Sequence, residues 1–64
     1  MDRRLEETKQ LLQELEKQAK ETASFLASLA SYENSIYVDL VKQHTARAVK
    51  EIEIALSFLS LTED

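Results

Sequence analysis

A hairpin of two antiparallel helices is the fold the sequence predicts, and three observations carry that expectation. Apolar residues recur in steps of three and four along two separate segments, and the two series are out of phase. A polar cluster, Ser31-Tyr32-Glu33-Asn34-Ser35, falls between them. The expected architecture is all-α and coiled-coil-like, with helices over about 3–30 and 35–61 in a single domain spanning 1–64. A chain of 64 residues is near the lower limit of independent folding. The hairpin is therefore expected to assemble, with itself or with a partner, into a larger helical bundle.

In the first segment Leu5, Thr8, Leu12, Leu15, Ala19, Thr22, Leu26 and Leu29 form an unbroken heptad seam, widened on one flank by Leu11 and Phe25. Between them lie Glu, Lys, Gln and Arg, which favour helix and keep their ends in water. Asp2 is placed to cap the N-terminus, where its acid meets the positive end of the helix dipole. Glu16 and Lys20 stand in the favourable i,i+4 orientation.

Val38, Val41, Thr45, Ala48, Ile52, Ala55 and Leu59 give the second segment its own seam. Its β-branched residues weaken helix propensity slightly, but no strand-like alternation persists. In the hairpin, Leu5, Leu12 and Leu15 are expected to face Leu59, Ile52 and Ala48, with Leu26 and Leu29 beside Val38 and Val41.

Continuing the first seam past Leu29 puts the charge of Glu33 among apolar positions, which marks a break rather than one helix about 90 Å long. The chain contains neither Gly nor Pro. Ser31, Asn34 and Ser35 can cap the following helix, and Asn tolerates the left-handed conformation that Gly supplies elsewhere.

The end of the second helix carries more apolar surface than one seam uses. Ile52, Ala55, Leu56 and Leu59 project to one side, and Ile54, Phe58 and Leu61 to nearly the opposite one. Two opposed apolar faces require two neighbours, so Ile54, Phe58 and Leu61 are candidate protein-interface residues. Tyr32, Ile36 and Tyr37 add a smaller aromatic-rich interface candidate at the bend, since Tyr is both apolar and hydrogen-bonding.

Several chemistries find no footing in the sequence. There is no cysteine for a disulfide or thiolate site and no glycine for a phosphate loop. His44 has Leu40, Val41, Arg47 and Ala48 as helical neighbours, none of them a metal ligand. The serines lack a base to activate them. The expectation is a non-enzyme with no cofactor, no metal and no small-molecule substrate. A net charge of −4 argues against nucleic acid, for which only Arg3, Arg4, Lys9, Lys17 and Lys20 offer a stripe. No apolar run suits a membrane span, and a cytosolic protein is expected.

The opening "LEETKQLLQELE", the tyrosine near the bend in "SYENSIY" and the closing "AVKEIEIALSFLSLTED" resemble a known pattern. It is that of the small helical-hairpin co-chaperones of the needle subunit in bacterial type III secretion systems. That resemblance implies binding to a larger helical-repeat chaperone, the pair keeping the needle subunit monomeric in the cytosol without catalysis. It assigns no individual functional residue. The alternative expectation is a homodimeric four-helix bundle acting as a structural or regulatory module.

Overall fold

The computed structural model describes residues 2–29 and 35–62 and forms an antiparallel two-helix hairpin. Helix α1 spans Arg3–Ser28 and helix α2 spans Ile36–Ser60. Both fall within the expected ranges.

Each helix starts on a side-chain cap. Asp2 lies in extended backbone and its carboxylate accepts the Arg4 N–H at 2.7 Å, as its position predicts. Of the three candidate caps at the bend, Ser35 serves α2: its hydroxyl oxygen accepts the Tyr37 N–H at 3.2 Å. Ser31 and Asn34 lie outside the described residues, as does the expected left-handed residue of the turn. Leu29, at the end of α1, is right-handed, and no described residue has positive φ. Helix α2 closes on tighter bonds, Leu61 N–H to the Phe58 carbonyl and Thr62 N–H to that of Leu59.

The seam between the helices differs from the expected one in alternate members. On α1 the half-covered residues are Lys9, Leu12, Glu16, Ala19, Ala23, Leu26 and Leu29. On α2 they are Val38, Lys42, Thr45, Val49, Ile52, Ala55, Leu56 and Leu59. Leu12, Ala19, Leu26, Leu29, Val38, Thr45, Ile52, Ala55 and Leu59 are where the sequence put them. Leu15 and Val41 are not: each is 49% exposed, and Leu5, Thr8, Thr22 and Ala48 are exposed with them. Each helix is rotated by about 50°, half a residue position, from the expected phase. Long side chains such as Lys9, Glu16 and Lys42 cover the seam with their aliphatic stems while their heads reach water. Glu16 is held there by Lys20, whose ammonium lies 3.6 Å from it and 3.5 Å from Glu53 across the hairpin. The i,i+4 pair expected from sequence is thus one arm of an interhelical bridge.

No described residue is fully buried. The hairpin measures 48 × 15 × 13 Å with a radius of gyration of 14.9 Å. A compact domain of this length would have a radius of gyration near 10.7 Å, roughly estimated from chain length. One layer of two helices has an inside only along a line.

Candidate protein interface

The rotation of the helices gives the hairpin two unlike broad faces. At about 100° per residue, Glu6, Gln13, Lys20 and Ala27 share one flank of α1. Asp39, Ala46, Glu53 and Ser60 share one flank of α2, and the Lys20–Glu53 bridge shows that these flanks lie on the same side. That face is polar.

The other face is apolar along most of its length. Ala19 and Thr22 from α1 line an open groove with Tyr37, Leu40, Val41, His44, Thr45 and Ala48 from α2. Helical spacing extends it: Thr8 and Leu15 precede Thr22 at intervals of seven, with Leu11 and Phe25 beside them. On α2, Ala55 continues the Val41–Ala48 row, and the row of Tyr37 and His44 runs through the charged Glu51 to Phe58. Leu15 and Val41, displaced from the hairpin seam, therefore belong to this face.

Its threonine hydroxyls are already satisfied. Thr8 donates to the Arg4 carbonyl at 2.7 Å, Thr22 to that of Gln18 at 2.9 Å and Thr45 to that of Val41 at 2.7 Å. Each spends its proton on its own helix and turns a methyl group outward. Covering them strands no donor, so the usual penalty for burying an unpaired hydroxyl does not arise.

The structure spreads the predicted interface residues over this face and its edge. Tyr37 lines the groove and is 76% exposed. Phe58 lies on the same face at 67% exposure. Ile54, Leu61 and Ile36 run along the outer edge of α2, Ile54 beside Gln43, Ala46, Arg47, Lys50 and Glu51. Tyr32 lies outside the described residues. Phe58 thus shares the helix face of the groove, whereas Ile54 lines a second concavity that reaches Ala46 on the polar flank. Sequence reasoning missed Leu11, Leu15, Phe25, Leu40 and Val41 as members. The signal was present: Leu11 and Phe25 widen the α1 stripe toward this flank.

His44 is an exposed lining residue of the groove. Among the described residues no three His, Cys, Asp or Glu side chains converge as metal ligands, and no helix is long and apolar enough to cross a membrane. Compared with known proteins, the chain matches no family model, no curated sequence and no solved structure.

Proposed function

We propose that this chain is a non-catalytic binding module that packs its apolar face against helices of another polypeptide. The observation that supports this reading is the contrast between the two faces. One is polar and cross-bridged by Lys20 and Glu53, while the other lines an open apolar groove and continues into Leu11, Leu15, Phe25 and Phe58. A helix with one neighbour needs one apolar stripe, and these helices each carry a stripe wide enough for two. Large exposed apolar patches on small proteins mark interaction surfaces.

In the specific form implied by the sequence resemblance, the module is a co-chaperone in the cytosol. It joins a larger helical-repeat chaperone, and the pair covers the amphipathic helix of a secretion needle subunit. The resemblance supports this form; the geometry supports the broader one, and suits any partner that offers a helical apolar surface.

The test is to change Ile54 and Phe58 together to Lys. Native mass spectrometry of the chain recovered with its cellular partners should then show the single 7.3 kDa chain where the original gives an assembly. An unchanged assembly mass would remove these residues from the interface.

A further inference from the structure

We infer that, in the protein on its own, a second copy of the chain covers the apolar face with its turn at the opposite end, setting Glu51 of each copy against His44 of the other. This rests on the reading of that face as a helix-packing surface, and it names the occupant and the residues that meet.

The hairpin exposes 5235 Å². A folded monomer of 7.3 kDa exposes about 4,200 Å² by the usual mass scaling, so this chain shows about 1,000 Å² more than its mass calls for. A stable interface of standard size removes roughly 800 Å² from each partner. One face of one copy has that much to cover. The face is not wholly apolar, however. Tyr37, His44, Glu51 and Phe58 stand at intervals of seven along α2, so a carboxylate sits within the row that carries the aromatic side chains. Its occupant must offer that acid a donor, because covering it without one is costly.

The chain itself supplies the donor. A twofold axis across the helices lays α2 over the copy's α2, running the other way, so each row meets itself in reverse. With the axis at the level of Ala48, Glu51 comes opposite the copy's His44, one turn from the copy's Arg47. The same placement sets Tyr37 opposite Phe58, Val41 opposite Ala55 and Ala48 opposite itself. Aromatic rings then meet aromatic rings, and the small residues let the two helices approach closely. Ala19 lines the groove together with Ala48, so the axis crosses α1 near it and brings Leu15 opposite Thr22. The Thr22 hydroxyl is already spent on the Gln18 carbonyl, so this contact strands no donor.

Other placements leave the acid without a partner. Sliding the copy by one heptad sets Glu51 against itself in one direction. In the other it sets Glu51 against Tyr37 and leaves Phe58 uncovered. With the two turns at the same end, α1 lies over the copy's α2. Glu51 then faces Leu11, Leu15 and Gln18, with Glu14 beyond them and no base among the four. Charge complementarity thus selects the arrangement with the turns apart.

Sedimentation of the full chain over a range of concentrations tests for the second copy, and the expected result is a reversible dimer. The sequence has no cysteine, so Ala48→Cys tests the orientation. It should give a disulfide-linked dimer on mild oxidation, because the residue at the axis meets its own counterpart. Glu51→Lys should weaken the dimer roughly fivefold, as for two exposed pairs lost, and His44→Glu added to the same chain should restore it. A dimer that Ala48→Cys does not cross-link overturns the orientation. One that cross-links without the charge rescue overturns the pairing of Glu51 with His44. A chain that stays monomeric but binds an amphipathic Leu/Lys helical peptide overturns the second copy and leaves the helix-packing reading standing. A stably folded monomer that binds no such helix overturns both.

Discussion

Asp2 closes the start of α1 with three bonds to one residue. Its carboxylate accepts the Arg4 backbone N–H at 2.7 Å and the Arg4 guanidinium at 3.5 and 3.3 Å. The guanidinium first, and the backbone N–H second, hold the Asp2 carboxyl below its ordinary value of 3.8. A depressed acid gives stability that is complete above the unfolded value and fades as pH falls through the folded one. The first turn of α1 should therefore loosen below about pH 4, read as faster exchange of the Arg4 amide by NMR. Asp2→Asn should remove that acid sensitivity, because Asn caps equally well but does not titrate. An Arg4 amide equally protected at pH 2 and pH 6 in the original chain would show that the cap is not maintained by this carboxylate.

At the scale of the helix, the bridge from Lys20 to Glu16 and Glu53 is a polar contact that ties α1 to α2. Its side chains are partly exposed, so its worth is small. Lys20→Met should cost about 0.5 kcal/mol in urea unfolding at low salt, and the difference should shrink as salt is added. A salt-independent loss would point to packing of the Lys20 stem instead. The two helices and their caps were legible in the sequence because steps of three and four, Asp2 and Ser35 are local signals. The phase of the seam was not. Steps of three and four through Leu12, Ala19 and Leu26 admit two settings, one adding Thr8, Leu15 and Thr22, the other Lys9, Glu16 and Ala23. Hydrophobicity favours the first, and the hairpin takes the second. Residue type alone does not separate a stripe facing one neighbour from a stripe shared by two. The broad α1 stripe, from Leu5 round to Leu11 and Phe25, is wider than the hairpin seam, which takes only one flank. For the same reason Ile54 and Phe58 were found as interface candidates, while Leu15 and Val41 were assigned to the interior.

At the scale of the whole molecule, the proposed assembly couples folding to association. A hairpin without a fully buried side chain has little of the interior that stabilises a domain. Stability should rise with protein concentration, as for any species that binds the folded state. Raising the concentration a hundredfold should move the melting midpoint upward by several degrees, followed by circular dichroism. A midpoint independent of concentration would mean that the isolated hairpin is self-sufficient.

The 48 × 15 × 13 Å outline also sets how the molecule moves through water. A slender rod has high friction for its mass and tumbles faster about its long axis than end over end. Stacking a second rod on one broad side would thicken the particle without lengthening it. Mass would double while friction rose far less, so the sedimenting particle would come closer to a sphere. Joining rods at their tips would do the reverse. The frictional ratio alone, measured beside the mass, therefore separates assembly through the broad apolar face from assembly through the ends.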